Sequence, residues 1–374
     1  MGLFSKKQDS YLGIDLGGSS IKAVELRDYN GRPQLVTYGF VELQTNILKS
    51  NTEEDKEHVV NALRQIIKEA RVTTNQVVTG LPSYTVFSSI ISLPNMSKKE
   101  LMSAVKWEAK KFVPMPVDEM ILDWEIIKDT QDTGAVAKED GDGPEGNDKE
   151  KDDAKKSQKD LKVLLTAAPK NLVQRYVEIF RAVDLELASL ETQAFALERS
   201  LIGRDKAPIM IVDIGASASD IMVFIDGIPI VTRSIDIGGN NISQTIARSM
   251  NVSVDRAEQF KRDFGLSSAE SNASRVPKTI EFVVSNIVNE IKYVLNLYQN
   301  QGNIKPIEKI ILCGGSSFLV NLPDYLEKVF NTKVYIGDPW ARIMYPVELK
   351  PVWEEIGPRF AVAVGFAMRQ IVSQ

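Results

Sequence analysis

The chain has 374 residues, of which 43% are hydrophobic and 25% charged, so it can bury a sizeable core in two domains or one bilobed domain. A single cysteine, Cys313, excludes intramolecular disulfides and multi-cysteine metal sites and fits a reducing compartment. The formal charge is −5, and residues 129–160 alone hold eleven acidic and six basic residues, so the remainder is neutral and offers no basic stripe for nucleic acid.

The N-terminus and the apolar runs predict a cytoplasmic chain. The segment Met1–Lys7 is too short and too soon charged for a signal peptide. No apolar run approaches the roughly 20 residues of a membrane-spanning helix, and the run Ala361–Met368 is flanked by arginines. We therefore expect neither secretion nor a direct membrane anchor.

The first predicted strands surround a short polar turn. Tyr11–Leu26 has the pattern of strand, turn and strand, with Asp15, Gly17 and Ser19 at the turn. The elements predicted next are a hairpin turn at Asn30-Gly31, a strand at Gln34–Phe40 and a helix at His58–Ala70.

A second group of elements predicts an inserted subdomain. Its helix runs from the capping box at Ser97 through Phe112, where prolines end it. Residues 129–160 are too polar to stabilise an ordered structure by burial, and we expect them to be disordered. The other predicted elements are strands at Val86–Leu93, Met120–Ile127 and Leu161–Thr166, and a helix at Asn171–Val183 that returns the chain to the first lobe.

An internal repeat is the most informative feature of the sequence. Ile209–Phe224 repeats the strand, turn and strand of Tyr11–Leu26, with Asp213, Gly215 and Ser217 at the turn. The elements that follow are again a hairpin turn, at Asp226-Gly227, a strand at Ile228–Arg233, and helices at Ile242–Met250 and Arg256–Phe264. Two homologous lobes are therefore predicted.

Two such turns facing each other across a cleft would form a phosphate-binding site. Glycines let backbone N–H groups approach phosphate oxygens, and Ser19 and Ser217 add hydroxyl donors. Asp15 and Asp213 would point their carboxylates at the same place, where without a counter-ion they repel each other and attract Mg²⁺. Lys22 could neutralise a phosphate.

A third glycine-rich turn follows a later strand. The segment Ile310–Leu319 is predicted to run from a strand through Gly314-Gly315 into a helix that ends near Phe330. Such a turn admits the close approach of a flat ring or a ribose. Cys313 is expected to be a small buried residue rather than a reactive thiol.

The order of these motifs resembles the actin, Hsp70 and sugar kinase superfamily of ATPases. This resemblance implies an α/β, duplicated actin-like (ribonuclease-H-like) fold of two lobes with an inserted α+β subdomain, connected by helices at Glu191–Arg199 and Gly357–Ala367. It implies a tentative catalytic acid, Glu191, near the attacking water. The residues it implies for ATP are Gly17, Gly18, Ser19, Ser20, Lys22, Asp213, Gly215, Ser217, Gly238, Gly239, Glu258, Lys261, Gly314, Gly315 and Ser316, with Asp15 and Asp213 for Mg²⁺.

Within that superfamily, long strings resemble the PilM family of type IV pilus assembly proteins. They are Ser103–Trp124, Asp338–Trp340 and Ile356–Pro358. The resemblance implies a cytoplasmic ATP-binding scaffold that binds the N-terminal tail of a PilN-like inner-membrane protein, partly through the inserted subdomain. Such a protein would lie at the membrane only through its partner; self-association is possible and nucleic acid is not expected.

The predicted domains follow from these assignments. Residues 1–80 and 185–206 form the first lobe, residues 81–184 the inserted subdomain and residues 207–374 the second lobe. The final helix, at about 357–371, is expected to return to the interface between the lobes.

Two other functions remain open. An FtsA-like cell-division protein shares the motifs, but such chains end in an amphipathic membrane helix, and this sequence stops at Gln374 just after the connecting helix. A small-molecule kinase would need a base in the cleft, whereas His58, the one histidine, is predicted on a surface helix. ATP hydrolysis is expected to be slow at best, because the helix at Glu191 lacks the Pro-x-Ala-Ala run common among active relatives.

Overall fold

The computed structural model describes residues 9–43, 52–113, 115–127, 161–266, 275–300 and 305–372. The acidic segment predicted at 129–160 lies outside them. The strands are β1 (Ser10–Leu16), β2 (Ser20–Tyr29), β3 (Arg32–Glu42), β4 (Gln76–Leu81), β5 (Phe87–Leu93), β6 (Met120–Ile127), β7 (Leu161–Pro169), β8 (Glu186–Thr192), β9 (Ile209–Ile214), β10 (Ser219–Ile225), β11 (Ile228–Ile235), β12 (Lys309–Cys313) and β13 (Lys333–Ile336).

Ten α-helices accompany these strands in the described part of the chain. They are α1 (Glu53–Glu69), α2 (Lys98–Phe112), α3 (Lys170–Arg181), α4 (Gln193–Leu197), α5 (Gly239–Met250), α6 (Val254–Phe264), α7 (Arg275–Asn300), α8 (Leu322–Phe330), α9 (Lys350–Ile356) and α10 (Ala361–Val372). Among the described residues, no helix has both the length and the apolar character needed to cross a membrane.

The two five-stranded sheets have the same topology. The first has the order β3-β2-β1-β4-β8 and the second β11-β10-β9-β12-β13. In each, three antiparallel strands are followed by parallel ones. The second and third strands are joined at Asn30-Gly31 and at Asp226-Gly227, and both residues of each pair have positive φ, as a type I′ turn requires. The predicted repeat is therefore confirmed as a structural duplication.

Two helices, α4 and α10, pack between the two five-stranded sheets. Residues of α4 pack with Ile211 and Phe224 of the second sheet. Residues of α10 pack with Val24 and Leu26 of the first sheet. The helices meet at Gly365, where an added Cβ would lie less than 3.0 Å from the backbone of Ala196. The final helix predicted at about 357–371 is thus a short 3₁₀ turn, Gly357–Phe360, followed by α10.

The inserted unit is a second compact body, Phe87–Ala168. Its sheet has the order β5-β7-β6, and α2 begins at the predicted capping box of Ser97 and Glu100. Its core residues are Ile91, Leu93, Leu101, Val105, Ala109, Val163 and Leu165.

The boundaries of this unit are narrower than the predicted subdomain 81–184. The rest of the chain, Met1–Val86 with Pro169–Gln374, forms the larger unit. Helix α3 belongs to it, because Tyr176, Ile179 and Phe180 are buried and the helix contacts α1 and β8. Both five-stranded sheets also belong to that larger unit, so their division into lobes 1–80 with 185–206 and 207–374 stays a prediction.

Replacing Gly365 by alanine tests the helix crossing. In an exposed helix this change would stabilise the protein by roughly 1 kcal/mol. Here we expect the free energy of unfolding to fall by about 2 to 4 kcal/mol, because the methyl group overlaps the Ala196 backbone. Urea denaturation of the parent and of Gly365→Ala measures whether the free energy of unfolding falls or rises.

The matched control is Gly31→Ala. Its Cβ would meet nothing within 4 Å, so only the backbone strain at φ +78° remains, about 1 to 2 kcal/mol. A Gly365→Ala protein as stable as the parent would show that the helices do not touch as described.

Candidate functional site

The predicted phosphate turns line one cleft of about 920 Å³ in the larger unit. The first turn follows β1 and the second follows β9, the equivalent strand of the duplicate. The predicted residues that line the cleft are Asp15, Gly17, Gly18, Ser19, Ser20, Lys22, Asp213, Gly215, Ser217, Gly239, Glu258, Lys261, Gly314, Gly315 and Ser316. Of the predicted binding residues, Gly238 and Glu191 are not part of this lining.

Each turn is closed by the same hydrogen bond. The N–H of Gly17 donates to the carbonyl of Ser20 at 3.0 Å, and the N–H of Gly215 donates to the carbonyl of Ala218 at 3.0 Å. An added Cβ on Gly17 would lie 2.8 Å from the carbonyl oxygen of Ser20. A glycine at position 17 is therefore needed for the turn to form, as the sequence pattern predicts.

The acidic residues of the two turns have different neighbours. Asp15 lies opposite Lys22 in the β1–β2 register, and Lys22 Nζ donates to Asp15 Oδ2 at 2.9 Å. At the equivalent position of the second hairpin, Asp213 lies opposite Asp220. Asp15 therefore has a counter-ion, Lys22, on the neighbouring strand, whereas Asp213 faces a second acid.

The second acidic pair is electrostatically unfavourable. Desolvation, followed by the charges of Asp220 and Asp15, raises the pKa of Asp213 to about 7. Desolvation also raises the pKa of Asp220 to about 6, although hydrogen bonds from Ser234 and Ser83 oppose it. Asp220 Oδ1 is buried and has no hydrogen-bond partner. These carboxylates need a proton or a cation.

A divalent cation fits this end of the cleft only with help from other ligands. Among the described residues, no group of three or more His, Cys, Asp or Glu side chains is placed to hold a metal ion. Mg²⁺ usually keeps several waters and shares phosphate oxygens, so one or two carboxylates are enough for it. The chemistry of Asp15 and Asp213 fits such a site.

Gly238 supports the second turn from behind. The next two backbone N–H groups, of Gly239 and Asn240, donate to the carbonyls of Gly215 and Ala216 at 2.9 and 2.8 Å. A Cβ on Gly238 would lie 2.7 Å from the Ala216 carbonyl. Its absent side chain therefore allows the start of α5 to pack on the turn, and Gly239 is the residue that reaches the cleft.

The predicted Glu258–Lys261 pair forms a fixed polar wall. Lys261 Nζ donates to Glu258 Oε2 at 2.6 Å and to the carbonyl of Gly239 at 3.3 Å. Ser243 Oγ donates to the same carboxylate at 2.6 Å. Burial lowers the pKa of Lys261, while the hydrogen bonds and charge of Lys261 outweigh burial and lower the pKa of Glu258. The pair is therefore built into the cleft and is not a solvated surface pair.

The third glycine turn lies beside the second one, because β12, which leads into it, pairs with β9. Gly314 has φ +81°, and its N–H donates to the carbonyl of Pro358 at 3.1 Å. Gly315 opens to the cleft, where an added Cβ would meet only Arg359, at 3.9 Å. Cys313 is buried, as predicted. The helix predicted directly after this turn is a 3₁₀ turn, Gly315–Phe318, and α8 begins only at Leu322.

The structure does not place Glu191 in the cleft. Its side chain is 6% exposed, and Arg199 and Arg369 each donate to one of its carboxylate oxygens, Arg369 at 2.7 Å. Burial raises the pKa of Glu191, and the two arginines oppose that rise. In this structure the Glu191 carboxylate, near the end of β8, is therefore held by two arginines and is not part of the cleft lining.

Sequence reasoning missed several residues that line the cleft. They are Pro82, Tyr84, Gln193, Asp220, Asn240, Gln244 and Arg359, among others. One of them carries a signal in the repeat itself: Asp220 follows Asp213 at the same spacing at which Lys22 follows Asp15. Aligning the two repeats would have identified Asp220 as the equivalent of Lys22.

Comparison with known proteins gives one family. A family model described as type IV pilus assembly protein PilM matches residues 13–138 and 150–371. Among solved structures, a chain of a PilM-PilN type IV pilus biogenesis complex is 26% identical with a TM-score of 0.78, covering 96% of this chain and 98% of that one.

More distant proteins share the fold. The cell division protein FtsA of Neisseria meningitidis serogroup B (strain MC58) is 22% identical over 393 aligned positions, covering 96% of this chain and 90% of FtsA. MreB5 of Spiroplasma citri, solved with AMPPNP, is 12% identical with a TM-score of 0.52, covering 95% and 94%. The predicted actin-like fold is thereby confirmed.

Asp220 predicts a pH dependence of the ligand-free protein. Its pKa is raised on folding from 3.8 to about 6, so its favourable contribution is complete below pH 3.8 and is lost as the pH rises through 6. Between pH 5 and pH 8 we expect the parent to lose about 1 to 2 kcal/mol of stability relative to Asp220→Asn. Urea denaturation in EDTA measures this difference.

Asp263→Asn, at an exposed position of α6, is the control and should keep the parent's pH slope. Parallel pH slopes for the parent and Asp220→Asn would contradict the assignment.

Proposed function

The chain belongs to the PilM family of type IV pilus assembly proteins, and from this premise we propose that it is a nucleotide-binding scaffold of the pilus inner-membrane assembly. It binds ATP and Mg²⁺ in the cleft and the N-terminal tail of a PilN-like inner-membrane protein elsewhere on its surface. It is cytoplasmic and reaches the membrane through that partner.

The observation that carries the nucleotide proposal is the pairing of duplicated turns across one cleft. Ser19 of the first turn and Ser217 of the second both line the cleft, so their hydroxyl groups can donate to phosphate oxygens of one bound triphosphate. The MreB5 structure, which has the same fold, was solved with a triphosphate analogue bound. The partner proposal is supported by the likeness to the PilM-PilN complex.

The residues that line the cleft include groups suited to each part of ATP. The Lys22 ammonium group can exchange its hydrogen bond to Asp15 for one to a phosphate. The Asp15 carboxylate is then available to Mg²⁺, together with Asp213. Glu258 and Lys261 present a carboxylate and an ammonium to the ribose hydroxyls. The turn at Gly314–Ser316 leaves room for the base.

In this proposal the nucleotide stabilises one conformation of the protein, and its hydrolysis does not drive the function. A ligand that contacts both turns favours the arrangement in which they are close, and it raises the affinity of any partner that prefers the same arrangement. Glu191, the candidate for activating water, is engaged by Arg199 and Arg369. Hydrolysis is therefore slow, and the bound nucleotide is a long-lived structural ligand.

One alternative keeps specific support. The FtsA protein of Neisseria meningitidis matches 96% of this chain at 22% identity. An FtsA-like division role would share the nucleotide site but require a different partner. The kinase alternative has no comparable support, since His58 is exposed on α1, away from the cleft lining. Self-association remains part of the proposal for either scaffold.

Filling the cleft at Gly315 tests the proposed function. We expect Gly315→Val to fold normally, because its Cβ meets only the Arg359 side chain at 3.9 Å, and to bind Mg-ATP at least about tenfold more weakly than the parent. Isothermal titration with Mg-ATP measures this, and the parent is also titrated with a synthetic PilN-tail peptide.

The smaller Gly315→Ala change is the matched control and should have an intermediate effect. A parent that binds no Mg-ATP at concentrations up to about millimolar would contradict the nucleotide proposal. A parent that binds Mg-ATP but not the tail peptide would contradict the partner assignment alone.

Glu191→Gln separates a structural role from a catalytic one. We expect the free energy of unfolding to fall by about 2 to 4 kcal/mol, because Arg199 and Arg369 lose their buried counter-ion. ATP turnover per folded molecule should stay within about twofold of the parent. Denaturation and a phosphate-release assay measure the two quantities, with the exposed Glu57→Gln as control.

A parent turnover on the order of one per second or faster that Glu191→Gln abolishes would contradict this assignment.

A further inference from the structure

Arg359 lines the cleft beside the third glycine turn. It is the third residue of the 3₁₀ turn Gly357–Phe360. The N–H of Gly314 donates to the carbonyl of the preceding residue, Pro358, at 3.1 Å. A Cβ built on Gly315 would lie 3.9 Å from both Cγ and Nε of Arg359. The Arg359 side chain therefore lies against the Gly315 backbone, at the position proposed for the base.

The guanidinium group of Arg359 covers an aromatic ring. Its Cζ lies 5.0 Å from the centroid of the Phe40 ring, which belongs to β3 of the first sheet. Arg359 lines the cleft whereas Phe40 does not, so we place the ring behind the guanidinium group as seen from the cleft. Phe40 packs edge-on against Phe360, which is buried in the core around α10. A planar cation is therefore supported by a ring that is itself anchored in the core.

The charge of Arg359 is only loosely engaged by the protein. Its Nη2 lies 3.8 Å from Oε1 of Glu42, and the Glu42 side chain is 73% exposed. Ion pairs between exposed groups contribute little. The Arg359 side chain itself remains 28% exposed. Because a guanidinium group is flat and weakly hydrated, the accessible surface of Arg359 suits a flat, electron-rich ring.

The space for such a ring lies on the Gly315 side. Among the described residues outside its chain neighbours, Arg359 is the only one with atoms within 4 Å of a Cβ built on Gly315. A glycine at this position therefore leaves a gap next to the guanidinium group. Nucleic-acid bases stack on arginine side chains in this way elsewhere.

We propose that the guanidinium group of Arg359 is the platform on which the base of the bound nucleotide stacks, with Phe40 supporting it from behind. This inference rests on the proposed function for the presence of a nucleoside triphosphate, and it adds the class that the cleft selects. A purine offers a larger ring system to a stacking partner than a pyrimidine does, so the site prefers purine nucleotides.

The test separates stacking from charge by replacing Arg359 with lysine. Arg359→Lys keeps the positive charge but loses the flat group. The matched control is Arg233→Lys, because Arg233 also lies over a ring, Tyr293, at 5.3 Å and pairs with Glu290, but it does not line the cleft. Isothermal titration of each protein with Mg-ATP, Mg-UTP and magnesium tripolyphosphate gives the affinities.

The parent and Arg233→Lys should bind Mg-ATP about tenfold more tightly than Mg-UTP. In Arg359→Lys the affinity for Mg-ATP should fall by about five- to tenfold, and its ratio to that for Mg-UTP should fall to about threefold or less. The affinity for tripolyphosphate should stay within about twofold of the parent, because the phosphate turns are unchanged.

Phe40→Leu tests the support of the guanidinium group without altering Arg359. Phe40 is exposed on β3, so this variant is expected to fold, and thermal unfolding checks this for every variant. Its affinity for Mg-ATP should fall by about two- to fivefold, whereas its affinity for tripolyphosphate should not change.

The possible failures are distinguishable. A parent that binds neither nucleotide overturns the proposed function and the stacking role with it. A parent that binds Mg-ATP and Mg-UTP equally well overturns the stacking role alone, as does an Arg359→Lys protein that keeps the parent's ratio. Equal losses of affinity for Mg-ATP and tripolyphosphate in Arg359→Lys would make Arg359 a phosphate-binding charge and would also overturn the stacking role.

Discussion

The packing of α10 between β1 and α4 is the constraint on which the rest of the larger unit depends. Gly13 on β1 and Gly365 on α10 each leave no room for a Cβ, because backbone atoms of the opposing element lie within 3.0 Å of its position. Such contacts fix the distance between the elements to within a fraction of an ångström. Since β1 ends in the first turn and α4 packs on the sheet that carries the second turn, this packing sets the two turns across the cleft.

Across that cleft, the two turns share the same closing hydrogen bond but differ in charge. The first hairpin pairs an aspartate with a lysine, and the second pairs two aspartates. Asp15 therefore has a lysine counter-ion, whereas Asp213 and Asp220 face each other. This asymmetry places a positive charge, Lys22, beside Asp15 and leaves Asp213 as a place where a cation is favoured. Both properties suit a triphosphate that arrives with its metal ion.

The sequence revealed those features that depend on local chemistry. The two hairpin turns carry Asn-Gly and Asp-Gly, and the phosphate turns carry glycine. The capping box of Ser97 and Glu100 predicted where helix α2 begins. The 26-residue α7 was missed, and so was the true environment of Glu191, whose partner Arg369 is 178 positions away. Long-range ion pairs leave no periodic signal, so a motif match alone assigned Glu191 to the cleft. Motif spacing also marked both Gly238 and Gly239 without telling which of them lines the cleft, and in the structure it is Gly239.

The central claim is that one nucleotide is held by both turns at once. A crystal structure of the protein grown with Mg-AMPPNP tests it most directly. The account predicts phosphate density within hydrogen-bonding distance of Ser19 on one side and Ser217 on the other, with Lys22 turned from Asp15 toward a phosphate. Nucleotide density that contacts one turn only, or an empty cleft under saturating ligand, would contradict it.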